Sequence, residues 1–281
     1  MWARLWGGVK GTKAPNDDIV ALAQQGDAKA QYNLGEMYAT GKGVAQNHKQ
    51  AAAWFSKAAE QGDAAAQLRL GVHYEFGIGM PQDFKQAFTW ISKAAEQGDA
   101  EAQLHLGVNY ELGSQGVPQD DLQAVAWYRK AAEQGCAEAQ FALGLMYSIG
   151  RGVAQDDQQA VAWYRQAAEQ GDAKAQFNLG LMYDDGRGVA QDYQQAAAWY
   201  HQAAEQGDAA AQYNLGMMYG KGQGVAQNDW LGYAWISVSA ANGDGQAARL
   251  RDMLARRFTP PALAEAQALA GRYILLYSSP S

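Results

Sequence analysis

The stretch "GDAKAQYNLG" at residues 26–35 returns almost unchanged as "GDAKAQFNLG" at residues 171–180. Related segments begin at Gly62, Gly98, Gly135 and Gly207. Measured between equivalent Gln or Asn residues, the steps are 36, 36, 37, 36, 36 and 36, and the repeats start at Gln25, Gln61, Gln97, Gln134, Gln170, Gln206 and, as a partial repeat, Asn242. A period of this length predicts a solenoid in which each repeat is one supersecondary unit.

Each repeat is predicted to contain two helices. Gly26 suits the left-handed end of one helix, and Asp27 can cap the next, in which apolar residues recur at helical spacing. A G-x-G turn closes this first helix, and an Asn or Asp seven residues before a tryptophan caps the second. Those tryptophans are Trp54, Trp90, Trp127, Trp163, Trp199 and Trp235. The 37-residue repeat takes its extra residue in the turn "GSQG" at 113–116, where an insertion leaves both helices intact.

The predicted fold class is therefore all-α, with about six helix-turn-helix repeats and atypical capping helices at both ends. Residues 1–15 are expected to form a poorly ordered N-terminal segment, and 16–258 to form the solenoid. Residues 259–281 are expected to form a C-terminal capping helix and tail, with Thr259 as the helix cap and Pro260 in its first turn.

Composition narrows the function classes. The net charge of -7 argues against a general nucleic-acid binder, which needs a basic footprint. No run of 18 apolar residues is present, so membrane insertion is not expected. The single cysteine, Cys136, excludes a disulfide framework within the chain. These features predict a cytoplasmic protein, or a periplasmic or secreted one if an export signal has been removed.

Catalytic chemistry is poorly represented. The chain has four histidines, which are His48, His73, His105 and His201. Their spacing does not match that of metal ligands. Cys136 stands where other repeats have a capping aspartate, which favours a lost cap over a nucleophile. We therefore expect no cofactor, no metal, no catalytic residues and no enzymatic activity.

The segment "DAKAQYNLGEMYATGKGVAQNHKQAAAWFSKAAEQG" resembles the Sel-1-like repeat, a relative of the tetratricopeptide repeat. The resemblance covers about residues 16–258. It implies a right-handed α-solenoid whose first helices line a concave groove, and a bacterial scaffold or adaptor that binds a protein or peptide there. A narrower version is an immunity or chaperone-like factor for one specific partner. The alternative class is a β-lactam-binding or β-lactamase-like hydrolase, although that branch carries a cysteine pair in each repeat that this chain lacks.

Comparison among the repeats separates structural positions from candidate binding positions. Positions that recur in every repeat, such as the tryptophans and the Leu34, Gly35 and Gln31 positions, are interpreted as structural. Variable positions on a second stripe of the first helix are predicted to bind the partner: Tyr32, Glu36, Leu68, Val72, Glu75, Phe76, Leu104, Val108, Glu111, Leu112, Phe141, Leu145, Ile149, Phe177, Leu181, Asp184, Asp185, Tyr213 and Met217.

The character of this stripe predicts the partner. Its middle is apolar and its charges are mainly acidic, which favours a protein or peptide with an apolar anchor and basic flanks. For Tyr32 and its equivalents, packing between repeats remains an equally good interpretation. A monomer is favoured.

Overall fold

The computed structural model describes residues 15–113 and 117–278. The predicted N-terminal segment, apart from Pro15, and the inserted turn residues 114–116 lie outside this described part. Within it, all regular structure is helical, in fifteen α-helices. The prediction of an all-α fold of the α-solenoid class is confirmed.

The chain divides into two compact units, Met1–Gln119 and Asp120–Ser281. Unit 1 contains α1 (Pro15–Gln24), α2 (Ala28–Thr40), α3 (His48–Glu60), α4 (Ala64–Phe76), α5 (Phe84–Glu96) and α6 (Ala100–Leu112). Here α2, α4 and α6 are first helices, and α3 and α5 are second helices. Each first helix packs on the second helix before it, and α2 and α4 also pack on the second helix of their own repeat.

Unit 2 contains α7 (Asp121–Glu133), α8 (Ala137–Ile149), α9 (Asp157–Glu169), α10 (Ala173–Asp185), α11 (Tyr193–Glu205), α12 (Ala209–Lys221), α13 (Asp229–Ala241), α14 (Gly245–Ala255) and α15 (Pro260–Tyr277). Its first helices are α8, α10 and α12, and its second helices are α7, α9, α11 and α13. The two kinds alternate and pack against each other as they do in unit 1.

Local sequence explains where these helices begin and end. The Asp27 carboxylate accepts a 2.7 Å hydrogen bond from the Ala30 amide, which satisfies one of the free donors of the first turn of α2. Gly41 ends α2 with φ of 76°, a left-handed conformation that glycine adopts without steric cost. Asn47 then caps α3 through the Gln50 amide at 3.1 Å. The predicted caps of both helix types are therefore confirmed in this repeat.

A close contact between the two helices explains the recurrent mid-helix glycine. A Cβ atom on Gly35 would lie 2.6 Å from Phe55, and one on Gly180 would lie 2.7 Å from Tyr200. Real side chains do not tolerate such contacts, so any larger residue would push the helices apart. The interpretation of the Gly35 position as structural is confirmed, and its cause is the close approach of the partner helix.

The recurrent tryptophans are not the deepest core residues of the repeats. Of the six repeat tryptophans only Trp235 is buried, with 1% of its surface exposed, and the other five are half-buried. The residue after each tryptophan occupies the centre of the repeat and is at most 1% exposed: Phe55, Ile91, Tyr128, Tyr164, Tyr200 and Ile236. Trp54 packs instead against the cluster of Ala23, Ala30 and Leu34, which joins α1 to its own repeat. Trp90 likewise packs against a cluster with residues of its own repeat and of the one before.

The recurrent glutamine of the first helix connects repeats through polar contacts. The buried Gln31 amide donates to the Ala23 carbonyl at 3.1 Å, and its oxygen accepts from Gln61 at 2.7 Å. The same pair of bonds recurs around Gln67, Gln140, Gln176 and Gln212. The predicted structural role of this glutamine is confirmed.

The C-terminal helix α15 covers the last repeat of unit 2. Tyr277 stacks on Trp235 with ring centroids 5.1 Å apart, and Tyr273 meets the same ring edge-on at 5.1 Å. Thr259 precedes α15 as expected, and Pro260 begins the helix. The Thr259 side chain makes no capping hydrogen bond, so its predicted role is corrected: with Pro260 and Pro261 in the first turn, fewer free amides need a cap.

Candidate functional site

The first helices of unit 1 expose an apolar patch, which we define as Phe76, Val108 and Leu112. Their exposed fractions are 64%, 37% and 72%. Phe76 and Leu112 are the last residues of α4 and α6, and each is followed by a left-handed glycine. Because the chain turns away immediately after them, no further helical turn covers their side chains. These three residues all belong to the predicted binding stripe.

Charged side chains beside this patch pair with one another across three repeats. Arg69 on α4 lies 3.2 Å from Glu36 on α2 and 3.4 Å from Glu101 on α6. Partial burial alone would lower the pKa of the Arg69 guanidinium, but the carboxylates of Glu101 and Glu36 outweigh it and raise the pKa. Glu101 is therefore engaged by Arg69, and Glu75 turns one carboxylate oxygen into the protein.

Leu68 is the clearest correction to the predicted stripe. Only 2% of its surface is exposed, so it belongs to the core of the repeat and offers no contact to a ligand. Val72, Leu104 and Glu111 are half-buried.

The aromatic residues at the start of the stripe pack on the core. Tyr32 contacts Phe55 with ring centroids 6.0 Å apart. In unit 2 the equivalent pairs are Phe141 with Tyr164 and Phe177 with Tyr200, each at 5.9 Å. All three stripe residues are half-buried, so packing within and between repeats accounts for most of their surface.

The first helices of unit 2 carry a more mixed surface. Ile149 at the end of α8 is 54% exposed, while Leu145, Leu181, Tyr213 and Met217 are half-buried. Asp184 accepts a hydrogen bond from the Tyr200 hydroxyl at 3.2 Å, and its neighbour Asp185 is exposed. Tyr200 thereby connects the core of its repeat to the first-helix surface.

His73 and Cys136 occupy structural positions. His73 is 6% exposed, packs edge-on against Phe55 at 5.2 Å, and donates from Nδ1 to the Ile78 carbonyl at 2.8 Å. Burial lowers the pKa of His73, and the nearby charges of His48 and Arg69 lower it further. Cys136 is the N-cap of α8 but makes no capping bond, and burial raises the pKa of its thiol. Both groups are thus held neutral, which suits packing better than nucleophilic catalysis.

Among residues 15–113 and 117–278, no group of three or more His, Cys, Asp or Glu residues is arranged to hold a metal ion. In the same ranges, no helix combines the length and apolar character needed to cross a membrane.

The Sel1 repeat family matches residues 28–63, 64–99, 100–136, 137–172, 173–208 and 209–244. The chain belongs to this family, in which Sel1 repeats generally mediate protein–protein interaction. The expected family and the number of repeats are both confirmed.

Two solved structures show the same likeness. The Sel1 repeat protein from Oxalobacter formigenes is 35% identical, with a TM-score of 0.69 over 80% of this chain and 90% of that one. The protein c5321, a protective antigen present in uropathogenic Escherichia coli strains, is also 35% identical, with a TM-score of 0.62 over 94% of this chain. This chain spans 64% of the length of c5321. No curated protein matched the sequence.

The sequence reasoning missed one feature of unit 2. A pocket lies between α12, α13 and α14, and only Met217 among its lining residues belongs to the predicted stripe. The sequence feature that could have indicated this pocket is Gly220. The equivalent residues of the other first helices all have a side chain: Ala39, Glu75, Glu111, Ser148 and Asp184.

Proposed function

We propose that the chain is a non-enzymatic interaction scaffold whose apolar patch in unit 1 binds a protein or peptide. The observation that carries the proposal is the exposure of Phe76 and Leu112 at positions where the repeat does not need an apolar group. Other first helices place Thr40, Asp185 and Lys221 there. Because exposing large apolar side chains gives the fold nothing, exposed apolar side chains at equivalent positions of neighbouring repeats are typical of an interaction surface.

The charges around the patch favour a partner with basic flanks. The first helices of unit 1 carry Glu36, Glu75, Glu101 and Glu111 against the two basic residues Lys29 and Arg69. In such an interface the apolar anchors supply most of the affinity, and the exposed charges mainly speed the encounter. The partner is therefore a segment with a large apolar side chain between Lys or Arg residues.

The number of partners separates two forms of this function. A scaffold binds several proteins of one complex, whereas an immunity or chaperone-like factor binds one. Affinity capture from the native host followed by mass spectrometry distinguishes them, provided that the captured proteins depend on the patch.

The variant that tests the patch is Phe76→Asp combined with Leu112→Asp. We expect it to abolish capture while the helical content measured by circular dichroism is unchanged, because both side chains are exposed. The matched control is Thr40→Asp, which adds a negative charge at the equivalent position of α2 and should keep binding.

A variant of Leu122 tests whether the partner binds the surface of the second helices instead. Leu122 is 72% exposed on the second helix α7. If Leu122→Asp abolishes capture while the patch variant binds normally, the partner contacts second helices and the proposal is wrong.

A further inference from the structure

The pocket in unit 2 has a volume of about 370 Å³. Its apolar surface comes from Met217 and Gly220 of α12, Tyr233 of α13, Leu254 of α14, and Phe258 in the turn after α14. This volume is at the small end of the range for ligand pockets in proteins. A single large side chain suits it better than an extended cofactor.

The pocket exists because two features of the repeat are lost at this point. Gly220 removes a side chain from α12, and a Cβ atom built on it would meet nothing within 4 Å. Helix α14 follows where a further first helix would stand, but Arg251 and Asp252 replace the Leu34 and Gly35 positions. Since α14 lacks these packing residues, it leaves space beside α12 that the regular repeats fill.

The rim of the pocket is basic in an otherwise acidic chain. Lys221 and Arg257 line it and are both exposed, and neither forms an ion pair within 4.0 Å among residues 15–113 and 117–278. Asp229 is the one acidic residue among its lining residues.

A neighbouring recess between α12 and α14 extends this basic surface. It shares Leu250 with the pocket and is lined by Arg249 and Arg256. Its acidic residue, Asp252, is occupied by Arg251 at 2.8 Å. The four basic side chains of the two recesses therefore face two carboxylates, one of which is already paired, although the whole chain has a net charge of -7.

We propose that this surface binds an acidic peptide segment of a partner protein, with a large apolar side chain of that segment inserted in the pocket. Charge complementarity favours acidic residues next to the apolar anchor of the peptide, since their carboxylates would pair with Lys221 and Arg257, which line the pocket. The apolar lining of the pocket favours a large apolar side chain as the anchor of the peptide. This site goes beyond the proposed function, because the patch in unit 1 favours a partner with the opposite charge.

Two labelled peptides test the proposal by fluorescence anisotropy. They share one central tryptophan and differ only in flanking Glu and Asp residues against flanking Lys and Arg residues. The comparison uses the patch variant Phe76→Asp with Leu112→Asp, which lacks the site proposed for basic segments. We expect the acidic peptide to bind this variant at least about tenfold more tightly than the basic one, and to bind less tightly as salt rises. Equal binding of the two peptides would overturn the proposal.

Gly220→Met supplies the structural test, because a Cβ atom at this position meets nothing within 4 Å and a longer side chain there would occupy the pocket. We expect at least about a tenfold loss of affinity for the acidic peptide at unchanged helical content, whereas Gly220→Ala, too small to fill the pocket, keeps binding. Normal binding by Gly220→Met would place the peptide elsewhere and overturn the assignment.

Charge variants complete the design. Arg257→Glu should weaken acidic-peptide binding, and the control Lys174→Glu, the same charge change on α10, should not. The patch variant Phe76→Asp with Leu112→Asp should bind the acidic peptide normally, so the two proposals fail independently. A dimer that Gly220→Met dissolves would assign the pocket to a second copy of this chain and overturn the peptide proposal.

Discussion

The core of unit 1 places Phe55 against His73, whereas the equivalent core of unit 2 places Tyr200 in one cluster with Met218. In both units a mid-helix glycine leaves room for the aromatic ring, Gly35 in the first case and Gly180 in the second. The backbone therefore requires a small residue opposite a large one, but it does not fix the polarity of the surroundings. As a result, unit 1 buries a titratable imidazole, and unit 2 sends a phenol hydroxyl to Asp184 at its surface.

The largest expected effect concerns which ring is central to a repeat. Tyr164→Ala should destabilise unit 2 by about 3–5 kcal/mol, because it empties the space below Gly144. Trp163→Ala should cost less, since part of that ring already contacts solvent. Chemical denaturation followed by circular dichroism measures both. An equal or larger loss for Trp163→Ala would restore the tryptophan as the principal core residue.

The next largest expected effect is the loss of stability of unit 1 at acidic pH. The pKa of His73 is lowered in the folded chain, so the unfolded chain binds the proton more readily and stability falls as the pH drops below the ordinary histidine value of about 6.5. His73→Met, which copies Met218, should remove this part of the pH dependence. Denaturation midpoints at about pH 7.5 and about pH 5.5 measure it.

His105→Gln is the control for that experiment, since it removes a histidine from the next first helix of unit 1. It should keep the wild-type dependence on pH. If His73→Met keeps it as well, a different group is responsible.

A smaller effect distinguishes two tyrosines within unit 2. Tyr200→Phe removes the hydrogen bond to Asp184 and should cost about 1 kcal/mol. Tyr164→Phe should be closer to neutral, because the Tyr164 hydroxyl is buried and no described residue meets hydrogen-bond geometry with it. Ser148 lies near enough to offset part of the burial that raises the pKa of Tyr164 to about 12. Equal losses in thermal unfolding would show that the contact with Asp184 contributes nothing of its own.

The smallest effect is at the N-terminus of α8. Cys136→Asp should be neutral or stabilise by up to about 1 kcal/mol, because a carboxylate reaches the free amides that the thiol leaves without a cap. Cys136→Ala is the control and should bring no gain. A clear loss of stability in Cys136→Asp would mean that repulsion from Glu138, 3.5 Å from the thiol, exceeds the value of the cap.

These comparisons show what the sequence could predict. The period, most caps and the Gly35 position recur from repeat to repeat, so comparison of the repeats was enough to predict them. The central core residue was missed because it changes between Phe55, Ile91 and Tyr128 while the neighbouring tryptophan does not. The tryptophan recurs unchanged where neighbouring repeats are in contact, whereas the central core position accepts any large side chain.

Departures from the repeat were harder to predict. Leu68 shares its helical position with Tyr32 but is fully packed, which depends on neighbours in other helices. The pocket beside Gly220 depends on how α14 packs, and α14 lacks the Leu34 and Gly35 positions of the other first helices. Such features arise from tertiary packing, so a local signal such as Gly220 shows a missing side chain but does not show the pocket.

The glutamine contacts have a consequence for how such chains change length. Each buried glutamine joins its own repeat to the one before, as Gln67 does between the Ala59 carbonyl and Gln97. Duplication or loss of a whole repeat by recombination restores the same set of bonds at the new junction. Removing a part of a repeat would instead leave a buried amide without its acceptor, at a cost of about 1–3 kcal/mol. Related chains of this kind are therefore expected to differ in length by whole repeats.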